Sequence, residues 1–367
     1  MSFKDNLLSW RWWLGMQKPA TQLEPPPLKI TAIIPAFNEE ACIGATIEAL
    51  LAQTYPLSAI IVIDDCSLDR TREIARSYLG VTVLRTPQNE GTKSKAQNLG
   101  LASVETELFV TVDADTVLLP NAIHEALRYF NDPQCEVVSG TVVPQKRDNF
   151  WERGRLVEYL YAAAIMKPAQ NHHGLVVVAS GCFSIFRTAT VQRFGGFNKR
   201  TLAEDLDLTW EIQDEGGRIY FASKAICYVV DPNNKKQYVN QLDRWYRGFM
   251  QNLKVRRFNL FPHKRRMMFV VYGYMLWNIA SVFFLPGLIL ALTGDVLTTV
   301  LYVIGITAVF GWLPALFMAW RFGHVRDALG GLIPFMILPY LNLYIYLRAF
   351  VLEIILGRKL NFWLKGH

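Results

Sequence analysis

The chain has 367 residues, a formal net charge of +7, 51% hydrophobic residues and a mean hydropathy of +0.17. The length leaves room for more than one domain, and the hydropathy is high for a soluble protein. Five cysteines (Cys42, Cys66, Cys135, Cys182 and Cys227) lie singly with no C-x-x-C, which argues against a disulfide framework and for a reducing, cytosolic setting.

The basic balance suits nucleic acid, an anionic membrane surface or an anionic substrate. At the amino terminus Lys4, Asp5 and Arg11 interrupt any apolar core, so no signal peptide is expected. Leu7, Leu8, Trp10, Trp12, Trp13 and Leu14 read as a short helix in a membrane interface, or equally as one packed on the protein itself. Pro25, Pro26 and Pro27 form a stiff linker that closes a first segment, 1–28.

A strand is expected over Ile30–Ile34, stopped by Pro35, then a helix from about Ala41 to Gln53 with acids in its first turn. Ser58–Ile63 is a second strand ending in Asp64 and Asp65, followed by a helix over Leu68–Tyr78 and a third strand over Val81–Leu84. A polar loop, Asn89–Asn98, carries Lys93 and Lys95 into the next helix. The apolar run Leu108–Val112 ends in Asp113-Ala114-Asp115. On a strand, residues i and i+2 point the same way, so the two carboxylates can reach one hard cation. The plain alternative is an acidic turn after a strand. Alternating strands and helices predict a parallel sheet, with ligands beyond the carboxyl ends of its strands. Pro35 to Asn38, Asp64-Asp65 and Asp113-Asp115 all fall on that edge.

Asn149–Ile165 reads as an aromatic helix, and Leu175–Ala179 and Cys182–Phe186 as strands about a Ser180-Gly181 turn. Glu204-Asp205-Leu206-Asp207 is either a solvated helix start or, with Leu202 and Leu208 beside it, a partly buried carboxylate group. Lys235–Arg257 is an amphipathic helix with Val239, Leu242, Trp245, Phe249 and Leu253 at helical spacing. Its basic residues, with His263 to Arg266 behind them, read as membrane-surface. Nucleic acid is set aside, because an apolar run follows at once. Met267–Leu292, Val296–Ala319 and Ala328–Phe350 are each long enough for a bilayer, and Pro334, Pro339 and Asn342 break the third. The basic cluster before the first run places that side in the cytoplasm. Whether the third run crosses or lies in the membrane plane is left open.

The ordered set Asp65, Asp113-x-Asp115, Glu204-Asp205 and Gln241-x-x-Arg244-Trp245 resembles the membrane-embedded family-2 glycosyltransferases, the cellulose, hyaluronan, chitin and poly-N-acetylglucosamine synthases. The resemblance implies an α/β, GT-A-type nucleotide-sugar-binding domain with a parallel-type central sheet over 29–234. It also implies an interface helix and basic linker over 235–266 and a membrane region over 267–367. Pro35, Phe37, Glu39, Asp64, Asp65, Lys93, Lys95 (the better match to the family's lysine), Asp113 and Arg244 would bind the donor. Asp113 and Asp115 would hold Mg²⁺ or Mn²⁺. Asp205, with Glu204 beside it, would be the catalytic base. Ser180, Gly181, Cys182, Glu204, Gln241 and Trp245 would meet the acceptor.

The implied reaction is inverting transfer from a UDP-sugar, UDP-glucose or UDP-N-acetylglucosamine, to a growing β-linked polysaccharide in the inner membrane. The partners are then donor, polysaccharide or lipid acceptor and membrane lipid, with a homo-oligomer or an export partner left open. Ala203 departs from the family's threonine, Gly91 to Lys95 is longer than its lysine motif, and the two amino-terminal spans of many synthases do not appear. A non-processive transferase acting on a lipid acceptor is the alternative. A transport or scaffold subunit with a degenerate transferase domain is a third reading, which the complete carboxylate set opposes.

Overall fold

The computed structural model describes residues 24–89, 91–172, 174–257 and 285–360, with the single positions 273, 276 and 282. The amino-terminal Trp-rich stretch, the basic group at 263–266 and most of the run 267–292 lie outside the described residues. The described chain forms two units, one of residues 24–145 and 168–230, the other of 146–167 and 231–360. Residues 146–167, which the sequence places inside 29–234, go with the second unit.

The first unit is built on four strands, of which the inner three are apolar on both faces. The four are β1 (Ile30–Ala36), β2 (Ala59–Asp64), β3 (Val81–Arg85) and β4 (Leu108–Val112). β1, β2 and β4 are almost wholly buried, as strands covered by helices on both sides must be. β1 runs parallel to β2 and β4, and β2 parallel to β3. Helices α1 (Ile43–Leu51), α2 (Thr71–Arg76) and α3 (Lys93–Leu101) connect them. Pro35 does not stop β1. Pairing with β4 ends at Ile33, whereas pairing with β2 continues to Ala36. The missing N–H of Pro35 therefore leaves no gap in a two-sided ladder.

Beyond β4 the sheet is mixed, with the order β3-β2-β1-β4-β7-β6-β8-β5. After Asp115 the chain makes a three-residue strand, β5 (Thr116–Leu118), before α4 (Ala122–Leu127), where the sequence led directly to a helix. Two long strands were not expected: β6 (Cys135–Pro144) and β8 (Arg218–Val229). In between lie α5 (Phe150–Tyr161), which continues as a π-helix through Met166, α6 (Lys167–His172), β7 (Phe183–Arg187), α7 (Thr188–Arg193) and α8 (Glu204–Asp214). β7 runs antiparallel to both β4 and β6.

Leu175, Val176 and Ala179 are buried and Val177 and Val178 half-buried, but the segment joins no strand ladder. Side chains satisfy its backbone instead. Gln213 Nε2 donates to the Val176 carbonyl at 2.6 Å, Trp210 Nε1 to the Val177 carbonyl at 3.0 Å, and the Ala179 N–H donates to Thr209 Oγ1 at 3.0 Å. A buried segment can leave the sheet only if its polar groups are met in this way.

The second unit contains α5, α9 (Lys235–Val255), α10 (Leu285–Thr293), α11 (Val296–Thr307), α12 (Leu313–Phe322), α13 (Val325–Gly330) and α14 (Leu332–Phe350). A π-helical turn joins α11 to α12, and another extends α14 to Ile355. The continuous helices Val296–Phe322 and Leu332–Ile355 are long and apolar enough to cross a membrane. Asn234 caps α9, its side chain accepting from the Gln237 N–H at 3.0 Å. The buried face of α9 runs through Tyr238, Leu242, Arg247, Met250 and Leu253, while Trp245, expected on the apolar stripe, is 37% exposed.

Candidate active site

Val112 at the end of β4 pairs with Phe183 at the start of β7. The Asp113–Asp115 turn and the Ser180–Cys182 turn therefore leave the sheet side by side. β4 ends before Asp113, and the Thr116 N–H closes a turn on the Asp113 carbonyl at 3.0 Å. The two aspartates thus sit on a turn, not at alternate positions of a strand.

Gly181 is the meeting point. Its N–H donates to Asp205 Oδ2 at 3.0 Å, and its carbonyl accepts from Lys93 Nζ at 3.2 Å. Lys93 also forms a short ion pair with Asp113. A Cβ at position 181 would lie 3.2 Å from Lys93 Nζ and 3.4 Å from Asp205 Oδ2, so a larger residue there would push on both charged groups. Burial opposes the charge on Lys93, but the carboxylates of Asp113, Glu204 and Asp205 outweigh it and raise its pKa. Lys95, two residues on, is placed about 200° around the same helix from Lys93. The sequence favoured Lys95, whereas the structure gives Lys93 the contact with Asp113.

Asp205 lies in the first turn of α8, where the helix dipole favours a carboxylate. The helix is fixed behind it. Arg200 clamps the fully buried Asp207 with two bonds of 2.7 and 2.8 Å and also pairs with Glu211. On the far side of the Asp113–Asp115 turn, burial pushes the Cys227 thiol well above its ordinary pKa, and the Cys182 thiol and the Asp113 and Asp115 carboxylates add to the shift.

The ends of β1 and β2 form a second wall. Asn38 and Cys66 both have left-handed backbones, with φ of 54° and 62°, uncommon for non-glycine residues and concentrated at functional turns. The turns hold each other: the Asn38 N–H donates to Ser67 Oγ at 3.0 Å, and the Leu68 N–H to Asn38 Oδ1 at 2.8 Å. The Glu39 N–H donates to Thr71 Oγ1 at 2.7 Å. Asp64 is wholly buried, accepting from the Ser67 N–H at 2.9 Å with Arg85 at 3.4 Å, and so holds its turn. Asp65 accepts from Thr86 Oγ1 at 2.6 Å. Pro35 and Phe37 flank these turns on β1 and its exit.

Among the described residues, no group of three or more His, Cys, Asp or Glu side chains is placed to hold a metal. Two neighbouring carboxylates fit a Mg²⁺-type ion, which takes one or two protein carboxylates and completes its shell with substrate phosphates and water.

In the second unit, Gln241 and Trp245 both contact Arg155, a residue of α5 that no sequence motif marks. Arg155 Nη2 donates to Gln241 Oε1 at 2.7 Å, and its guanidinium lies 4.8 Å from the ring centres of both Trp245 and Tyr238. Glu158 at 2.9 Å and the buried Asp231 at 3.9 Å balance its charge. Burial works against that charge, but Tyr159, Tyr238, Glu158 and Asp231 outweigh it and keep the guanidinium protonated. One face of Trp245 is thus occupied by Arg155. Arg244 lies on the same helix, partly buried.

The family model described as "Glycosyltransferase like family 2" matches residues 25–248. The chain is 32% identical over 251 residues to a hyaluronan synthase of Streptococcus pyogenes, covering 62% of this chain and 58% of the relative. It is 26% identical over 244 residues to a poly-beta-1,6-N-acetyl-D-glucosamine synthase of Staphylococcus aureus, covering 63% and 59%. The matches thus span less than two thirds of those relatives. In fold it is similar to the mannosyltransferase PcManGT from Pyrobaculum calidifontis, solved with GDP-Man and Mn²⁺, at 21% identity and a TM-score of 0.63 over 96% of this chain and 95% of the other.

Proposed function

Since the chain belongs to the family-2-like glycosyltransferases, we propose that it transfers a sugar with inversion from a UDP-sugar to a growing β-linked polysaccharide. The observation that carries this reading is the meeting at Gly181. A helix-start carboxylate (Asp205) and a strand-end carboxylate (Asp113) are held on either side of one backbone unit, with Lys93 between them. That arrangement supplies a base and a phosphate-side charge within one small site.

Asp65 and the 35–39 turn bind the base and ribose, and Lys93 offsets diphosphate charge. Asp113 and Asp115 hold Mg²⁺ or Mn²⁺, which when bound supplies positive charge against the leaving diphosphate. Asp205 takes the proton of the acceptor hydroxyl. The hydroxyl oxygen bonds to the anomeric carbon as the bond to the diphosphate breaks, so an α-linked donor gives a β-linked product. Trp245, by its remaining face, and Gln241 are assigned to the acceptor sugar, the 180–182 turn of the first unit likewise to the acceptor, and Arg244 to the diphosphate. The catalytic unit faces the cytoplasm at the inner membrane.

A donor screen on membranes holding the full chain, with Mg²⁺ or Mn²⁺, tests this. Label from UDP-glucose or UDP-N-acetylglucosamine should appear in polymer that stays at the origin of a thin-layer plate. Label that migrates as glycolipid would establish the lipid-acceptor alternative instead.

A further inference from the structure

A groove of about 500 Å³, a size that suits a small ligand, lies at the β3 edge of the sheet in the first unit. The last residue of β3, Arg85, pairs in register with Asp64 of β2. Four side chains that line the groove are arginines: Arg70, Arg72, Arg76 and Arg85. Arg72 and Arg76 are one turn apart on α2 and so share a face. None of the residues assigned above to the donor, the metal or the acceptor lines this groove.

The acids of the groove are already in use. Asp69 accepts from the Glu40 and Thr71 N–H groups at 3.1 and 3.0 Å, and Glu73 pairs with Arg70 at 3.3 Å. Asp64, wholly buried behind Arg85, meets one nitrogen of its guanidinium at 3.4 Å and accepts from the Ser67 N–H. A guanidinium carries five N–H donors in a fixed fork, and Arg85 is 39% exposed, so it keeps donors to spare. Among the described residues, the side chains of Arg72 and Arg76 have no ion-pair or hydrogen-bond partner. Arg72 Nε is moreover shielded from solvent. An arginine on a merely solvated face gives that nitrogen to water, whereas a shielded donor needs a partner brought to it.

Three guanidiniums with donors to spare, and no acid left to answer them, select an anion. Their planar forks match phosphate oxygens. A lone carboxylate could answer one arginine, whereas the oxygens of two linked phosphates can answer all three. We propose that this groove is a binding site for a diphosphate group, separate from the donor site and held by Arg72, Arg76 and Arg85. Inorganic diphosphate and a nucleoside diphosphate share that chemistry. The inference does not depend on the transferase reading.

The test is calorimetry on the full chain in nanodiscs of neutral lipid, at low salt. EDTA is present throughout, so that no metal can hold a diphosphate at Asp113 and Asp115. Inorganic diphosphate should bind at one site. Arg72→Gln and Arg76→Gln should each weaken it about ten-fold or more, the scale of a charge-assisted hydrogen bond. Lys93→Gln should leave it unchanged, and so should Arg193→Gln, which removes an exposed arginine elsewhere in the unit. Uridine and adenosine diphosphates in the same buffer separate the sources. Affinities equal to that of inorganic diphosphate mean that the group alone is read; a tighter nucleotide, still weakened by Arg72→Gln, means that a nucleotide is the occupant. Either result supports the site. No binding, or binding that falls with Lys93→Gln and not with the two groove arginines, would overturn it. An equal loss in Arg193→Gln would overturn it too, by showing diffuse charge instead of a site. Unfolding of each variant is measured alongside, and Arg76→Glu, at an exposed position, carries the test if Arg72→Gln misfolds.

Discussion

Arg155 is the most informative single residue to alter. Its side chain is 4% exposed and its counter-charge Asp231 only 1%. Arg155→Met keeps much of the volume but takes the guanidinium from the buried Asp231 carboxylate, which keeps its hydrogen bond from Tyr159 OH at 3.1 Å. Breaking one side of such a buried pair costs about 3–5 kcal/mol. Adding Asp231→Asn removes the uncompensated buried charge and should recover about 2 kcal/mol of that loss, within the usual range of coupling between contacting residues. Denaturant unfolding of the full chain in nanodiscs, run as a double-mutant cycle, measures this. Arg155→Lys separates position from charge. Lysine keeps the cation but loses the planar fork that bonds Gln241 while stacking on Trp245. A desolvated cation–π contact is worth about 1–2 kcal/mol, so transfer to acceptor should fall ~5–30-fold while donor hydrolysis by water is retained. Unchanged stability in Arg155→Met, or full transfer and product length in Arg155→Lys, would refute the assignment of Arg155 as the residue that positions Gln241 and Trp245.

Asp115→Asn should abolish metal-dependent donor turnover, and full activity at saturating Mg²⁺ would remove Asp115 from the metal site. Asp205→Asn should bind donor in calorimetry yet lose about 10²-fold or more in transfer, the scale of general-base catalysis; loss of donor affinity would make Asp205 a donor ligand. Trp245→Ala should shorten the product and spare donor hydrolysis, with product sizing and nucleotide release as the two readouts. Burial, with Arg147 adding to it, lowers the pKa of His324, and Asp327 only partly opposes the shift. The unfolded chain then takes up a proton that the folded chain resists, so this contribution is complete above about pH 6.5 and is lost as pH falls below it. Unfolding measured at pH 5.5 and 7.5 should show that loss, and His324→Gln should reduce it.

The parallel half of the sheet was legible because β1, β2 and β4 are buried on both faces and appear as unbroken apolar runs between turn residues. β6 and β8 were not, because Ser139 and Gly140 in one and Ser223 and Lys224 in the other interrupt their runs, and their shared ladder shifts register near Gly140. Leu175–Ala179 looks like a strand by composition, but α8 and its neighbours take its backbone bonds. The carboxylates and the 241–245 motif could be found because each lies at an element's end or on a charged helix. Lys93 against Lys95 could not be decided from spacing, since helix phase relative to Asp113 depends on where α3 begins. Arg155 gave no signal at all: one arginine among aromatics on a helix reads as a surface residue until Asp231, Gln241 and Trp245, distant in sequence, fold around it.

The configuration of the newly made glycosidic bond tests the central claim most directly. The full chain in membranes is given an α-linked, isotope-labelled nucleotide sugar with Mn²⁺, and the anomeric proton of the product is read by NMR. Attack by a hydroxyl activated at Asp205, in a single displacement, requires the β-anomer together with stoichiometric release of the nucleoside diphosphate. An α-linked product, or no turnover of any nucleotide sugar by the unaltered chain, would contradict it.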